Sequence, residues 1–181
     1  MMSRFILLFF LLFISSASMA ESPTFADIQW GASKEEVRKQ LTVKGFSPGA
    51  LDKDGDFKFE GSLLGYKTQG LALFSDSKVA KIIVRILTPN NKAIDTYGSM
   101  KGILADKYGK PEKDFKFFKK PYYEGDGYEE QAIRLGKATF ASFWPGIMLE
   151  INEVLTVQVN YESDAWEAEV KKRKASANSV F

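Results

Sequence analysis

Ile147-Met148-Leu149-Glu150-Ile151-Asn152-Glu153-Val154-Leu155-Thr156-Val157-Gln158-Val159-Asn160-Tyr161 is a β-hairpin written in alternation. Ile147, Leu149 and Ile151 face one way, and Met148 and Glu150 face the other. Asn152-Glu153 turns the chain. Leu155, Val157, Val159 and Tyr161 then share a face, with Thr156, Gln158 and Asn160 opposite. A period of two over this length marks half-buried strands, with one side in a core and one side wet.

The same pattern spreads outward. Upstream, Ala138 to Trp144 reads as a strand, joined to the hairpin by Pro145-Gly146, which suits the centre of a type II turn. Further back lies a second hairpin. Leu71 to Phe74 is a short apolar run, Asp76-Ser77-Lys78 is a turn, and Val79 to Leu87 places Ile82, Val84 and Ile86 against Lys81 and Arg85. Phe57-Lys58-Phe59-Glu60 adds a further half-buried strand.

Helices separate these strand groups. Ser33 can cap a first helix, with Glu36 reaching back to complete a capping box; Gly45 ends it and Phe46 folds over the end. A second helix spans about Lys92 to Tyr108, with Tyr97, Met100, Leu104 and Tyr108 as its buried stripe. Gly98 and Gly102 are expected to let it approach the sheet closely. Gly109 and Pro111 stop it. A final helix starts near Ser163, with Trp166 and Val170 one turn apart. Its acidic start (Asp164, Glu167, Glu169) and basic end (Lys171 to Lys174) match the helix dipole. The expected fold is α+β, with helices packed on one face of an antiparallel sheet. Two tandem helix-plus-hairpin repeats, 25–88 and 92–162, lie within a single domain of residues 21–174. A disordered tail, 175–181, follows.

Composition restricts chemistry more than it suggests any. The 181 residues contain no His and no Cys. A Ser-His-Asp triad and a Cys nucleophile are therefore impossible. Zinc and copper sites built on imidazole or thiolate are excluded too, and disulfides cannot form. No phosphate-binding or dinucleotide fingerprint is present. Lys and Arg total 25 against 23 Asp and Glu, a balance that does not point to nucleic acid. Only chemistry based on carboxylates, or on Ser with Lys, stays formally open, and no residue pair marks it. No cofactor or metal is expected. Asp52-Lys53-Asp54-Gly55-Asp56 begins like a calcium loop. The glycine and glutamate that an EF-hand needs further on are replaced by Phe57 and Leu63, so it reads as a polar turn. Gly125-Asp126-Gly127-Tyr128-Glu129-Glu130 reads as a flexible acidic loop.

The least ordinary stretch is Phe115-Lys116-Phe117-Phe118-Lys119-Lys120-Pro121-Tyr122-Tyr123, five rings and three lysines beside a proline. Read functionally, Phe118, Lys119, Lys120, Tyr122 and Tyr123 form a binding ridge. Rings supply contact area and lysines attract anionic groups. In this reading Phe115 and Phe117 share one face and Phe118 takes the other. Read structurally, it is an edge strand whose phenylalanines are core and whose lysines discourage aggregation.

Phe25-Ala26-Asp27-Ile28-Gln29-Trp30-Gly31-Ala32-Ser33-Lys34-Glu35-Glu36-Val37 resembles the helix-opening motif of many small bacterial envelope proteins. Leu104-Ala105-Asp106-Lys107-Tyr108-Gly109-Lys110-Pro111 is similar to a helix exit common among them. The nearest group is the outer-membrane assembly lipoprotein E (SmpA/OmlA-like) fold, and a similar tandem arrangement occurs in β-lactamase inhibitor proteins. The resemblance implies a fold and an envelope setting. With no cysteine, the chain lacks the lipidated residue of the first group and the disulfides of the second.

Arg4 followed by the apolar run Phe5 to Ile14 and the small residues Ser18 and Ala20 predicts an export signal cleaved after Ala20. The run is shorter than the roughly 20 apolar residues of a spanning helix. The expected product is a periplasmic or secreted protein without a transmembrane segment. Its expected role is a non-catalytic binding or scaffold module of the bacterial cell envelope, with a protein or envelope component as partner and no nucleic acid. The alternatives are a secreted inhibitor or effector bound to a protein target, and a carboxylate-based cell-wall hydrolase. A terminal aromatic such as Phe181 occurs in outer-membrane barrels, but the small, basic, non-alternating residues before it do not fit one. N-terminal sequencing of the exported form should begin at Glu21; an intact Met1 in a membrane fraction would contradict the signal.

Overall fold

The computed structural model describes residues 23–89 and 91–178. The export signal, its cleavage site and Phe181 lie outside the described residues. No helix among them is long and apolar enough to cross a membrane.

Helix α1 (Lys34–Val43) forms where its capping chemistry dictates. Ser33 accepts from the Glu36 amide while the Glu36 carboxylate accepts from the Ser33 amide, and the two thus satisfy each other's free N–H groups. At the other end Gly45, at φ 84°, lets the Phe46 amide reach the Leu41 carbonyl and its own amide reach that of Thr42. Val37 and Leu41 are fully buried.

After α1 come four strands, β1 (Ser47–Leu51), β2 (Phe57–Leu63), β3 (Tyr66–Ser75) and β4 (Lys78–Ile86). Helix α2 (Ala93–Tyr108) is followed by β5 (Lys113–Phe118), the short α3 (Glu129–Arg134), β6 (Ala138–Trp144), β7 (Ile147–Ile151) and β8 (Val157–Glu162). All eight strands form one sheet in the order β1-β2-β3-β4-β8-β7-β6-β5, with every pairing antiparallel. The fold is α+β, as expected. Each half of the chain runs helix then four-strand meander, and β4 against β8 joins the halves. Sequence reading found the inner hairpins and missed β1, whose Ser47-Pro48-Gly49-Ala50-Leu51 has no alternation to detect.

The core lies between the sheet and α1 and α2. Phe57, Phe59, Ala72, Ile82, Val84, Ile86, Leu149, Val157, Val159 and Tyr161 supply its sheet side. Phe25, Phe46, Phe59 and Tyr161 form one ring cluster, with centroids 5.3–6.0 Å apart. Gly70 makes room for it: a Cβ there would lie 1.9 Å from the Phe59 ring. The connections β1–β2 and β7–β8 use the same device. Asp52 Oδ1 accepts from the amides of Asp54 and Asp56, and Asn152 Oδ1 accepts from those of Val154 and Thr156. Gly55 and Leu155 take the left-handed position in the two loops, at φ 76° and 59°.

One expectation about α2 is corrected. Gly98 and Gly102 of α2 do not meet the sheet; both are exposed, and a Cβ on either would find open space. The buried contact is made by Ala93, Thr96, Tyr97, Met100 and Leu104, with Tyr108 packed partly buried against the core. The N-terminus of α2 has no cap of its own. The Glu130 carboxylate of α3 accepts from the amides of Asn91 and Ala93 instead.

The C-terminal helix α4 (Ala165–Asn178) continues past Lys174 into the segment read as a tail, so its basic residues lie mid-helix and not at its end. It does not dock through an apolar stripe either: Val170 is only half-buried while Glu169 is buried. Arg173 donates to Asp56, Glu169 and the Phe74 carbonyl, and Glu169 accepts from Ser75. Asp56, 3% exposed, also accepts from the Phe74 amide. Lys81 and Arg173 each lie 5.3 Å from the Trp166 ring. A polar cluster thus anchors α4 to β3.

Arg173→Met should cost about 3 kcal/mol, because it leaves two buried carboxylates without their cation. The Arg173 hydrogen bond holds Glu169 below its ordinary 4.5. The native state therefore binds fewer protons than the unfolded one. The stabilisation is complete above pH 4.5 and is lost as pH falls below it. Melting temperatures of the wild type and Glu169→Gln should accordingly converge as pH is lowered through this range. A constant gap down to about pH 3 would refute the assignment.

Candidate functional site

The segment singled out by its rings and lysines is the edge strand β5, paired only with β6. Side chains alternate across a strand, so its residues divide into two rows.

Asp114, Lys116 and Phe118 face the helix side. Phe118 packs edge-on against Phe140 at 5.8 Å, and the Lys116 ammonium lies 5.7 Å from the same ring while pairing with Glu124. Asp114 accepts from Ser142 at 2.7 Å and pairs with Lys101 of α2. Ser142 and Tyr97 share a buried 2.6 Å hydrogen bond. Burial works to raise the Asp114 carboxyl, and the hydrogen bonds from Lys101 and Ser142 outweigh it, leaving it below the usual 3.8. Burial pushes the Tyr97 hydroxyl up to about 12. This network pins the edge strand to α2. Its spacing, with two members on α2 and one each on β5 and β6, leaves no mark in the linear sequence.

Lys113, Phe115 and Phe117 face the other way. Phe115 and Phe117 are each 44% exposed, and Phe115 meets Phe143 edge-on at 5.8 Å. The ladder continues one step past the strand, where the Lys119 amide donates to the Lys137 carbonyl at 2.7 Å. Lys113, Phe115, Phe117 and Lys119 thus form one row, cation–ring–ring–cation, with Lys137 beside Lys119. Among the described residues, Lys113, Lys119, Lys120 and Lys137 make no ion pair.

Of the residues read as a ridge, Lys119 and Lys120 are exposed and Tyr123 is 64% exposed, whereas Phe118 and Tyr122 pack against the core. The exposed phenylalanines of the segment are Phe115 and Phe117 instead. Alternation correctly set Phe118 apart from these two. It could not say which face was inner, because both rows carry phenylalanine.

No family model matches the chain, and no curated protein or solved structure matches it either.

The acidic segments are already engaged. Asp56 is committed to Phe74 and Arg173. In the loop before α3, Asp126 accepts from the amides of Tyr123 and Tyr128, and Glu129 accepts from Gly125; what reads as a flexible acidic loop is internally bonded. On the second sheet face, burial raises Glu150 above 4.5, with Lys81 opposing, and Lys81 itself pairs with Glu162.

Phe118→Ala should lower stability by about 2 kcal/mol, part of the 3–5 expected of a wholly buried ring. Phe117→Ala should cost less than half as much. Lys119→Glu with Lys120→Glu should leave the melting temperature unchanged within error. Equal losses for the two phenylalanines would reverse the assignment of faces.

Proposed function

We propose that the protein is an exported, non-catalytic binding module of a bacterial cell envelope, and that it binds through the β5 surface. The observation that carries this reading is the exposed row Lys113, Phe115, Phe117 and Lys119, extended by Lys120, Tyr123 and Lys137. Large rings held on a rigid sheet supply contact area at little cost in side-chain entropy, and unpaired lysines around them attract an anionic partner. The export signal read at 1–20, the composition without His or Cys, and the fold-level resemblance to the outer-membrane assembly lipoprotein E group support the setting.

A second reading, a secreted inhibitor or effector of a protein target, is favoured by the same exposed rings on the sheet. It differs in place of action: the partner would be found in the medium or on a host surface.

The test is paired capture from envelope extracts and from conditioned medium. The wild type and a Phe115→Ala/Phe117→Ala variant of equal melting behaviour serve as baits. A protein enriched at least about tenfold by the wild type over the variant is expected, a difference of roughly 1.4 kcal/mol. Identical recoveries from both baits would remove this surface from the function.

A further inference from the structure

The two edges of the sheet are finished differently. At β1 the edge is closed. Pro48 has no N–H to offer, the register slips between Pro48 and Leu51, and Arg38 donates to the Gly49 carbonyl at 2.6 Å. These are the devices by which proteins block the addition of a further strand. At β5 they are missing. The register with β6 is regular from Lys113↔Phe143 to Phe118↔Ala138, and the strand contains no proline. Lys119 and Lys137 are register partners joined by a hydrogen bond, which fixes the phase of the ladder. Residues 113, 115 and 117 bond inward to β6. The N–H and C=O groups of Asp114, Lys116 and Phe118 therefore point outward, and among the described residues nothing pairs with them.

We propose that β5 receives an extended acidic peptide segment of a partner protein, which adds to the sheet as a ninth strand. This rests on the reading of β5 as the binding surface and specifies how the partner engages it. Main-chain groups of Asp114, Lys116 and Phe118 supply the pairing. Side chains of the incoming strand alternate, so every second one lies beside the row of Lys113, Phe115, Phe117 and Lys119. Four unpaired lysines (Lys113, Lys119, Lys120 and Lys137) select carboxylates there, and Phe115 and Phe117 cover the apolar parts of the peptide. On the helix-facing row the cations are already matched, Lys116 by Glu124 and Lys101 by Asp114, so no charge selection falls on that side.

An N-acetylated, C-amidated peptide of alternating Glu and Val is the probe. It is titrated into the isotope-labelled protein, with amide exchange followed residue by residue. Binding should slow exchange at Asp114, Lys116 and Phe118. The same peptide N-methylated at alternate residues keeps its side chains but cannot complete the ladder, and should bind at least about tenfold more weakly. Lys119→Glu/Lys137→Glu should weaken the parent peptide by about tenfold. Lys116→Pro removes one outward N–H without breaking a bond to β6, and should weaken it similarly. If that variant fails to fold, the N-methylated peptide still decides. Equal affinity for the two peptides, or binding with unchanged exchange at the three amides, would overturn strand addition. So would failure of the peptide to bind while phosphatidylglycerol vesicles do, which would mark the lysines as a lipid-headgroup surface. If the paired capture still depends on Phe115 and Phe117 while these amides stay unprotected, the surface stands and only the mode of engagement falls.

Discussion

The pairing of β4 with β8 is the constraint on which the rest depends. Six register pairs, from Lys81↔Glu162 to Ile86↔Val157, join two meanders that close locally, through short turns except at the β5–β6 connection that carries α3. Apart, each meander would present two edges and half a core. Joined, they bury the innermost strands, bring Tyr161 against Phe25, and leave only β1 and β5 at the ends. Residues more than seventy positions apart must meet for this seam to form. That is the non-local kind of contact that slows folding and exposes edges while it waits. The alternation of Leu155–Tyr161 is the clearest strand signal in the chain, and its partner is the largely apolar strand Lys78–Ile86.

Where a structural feature rests on neighbours in sequence, the sequence shows it. Ser33 and Glu36, Gly45 and Phe46, and Pro145-Gly146 are each read within a few residues, and each holds its place. Alternation likewise marked strands at Phe57–Glu60, Val79–Leu87 and Ile147–Tyr161, while β3 showed only its Leu71–Phe74 half. What the chain does not display is the identity of a distant partner. Asp56 sits in a run of acids that looks solvated, yet it is buried because Arg173, far along the chain, comes to meet it. Glu130, in a stretch that reads as an acidic loop, belongs to α3 and caps a helix that begins before it. Gly98 and Gly102 suggested close packing, but their face of α2 has nothing opposite.

The candidate site was half legible for the same reason. Its location and its mixture of rings and lysines stand out in the linear sequence. The inner and outer rows do not, because Phe115 and Phe117 on one side and Phe118 on the other are equally apolar. Contacts with Phe140, and the tie from Asp114 to Ser142 and Lys101, settle which row turns inward. They also make β5 rigid, so that its exposed row is held in place without a ligand.

The anchoring of α4 has a calorimetric consequence. Its docking is made of ion pairs, hydrogen bonds and a Trp166 ring beside two cations, and it covers little apolar surface. Heat capacity of unfolding follows exposed apolar area. Release of this helix would therefore carry almost no heat-capacity change and little denaturant sensitivity, although the sheet beneath it carries both. The C-terminal helix is thus suited to open as a sub-global unit under changes of salt or acidity that leave the aromatic core intact.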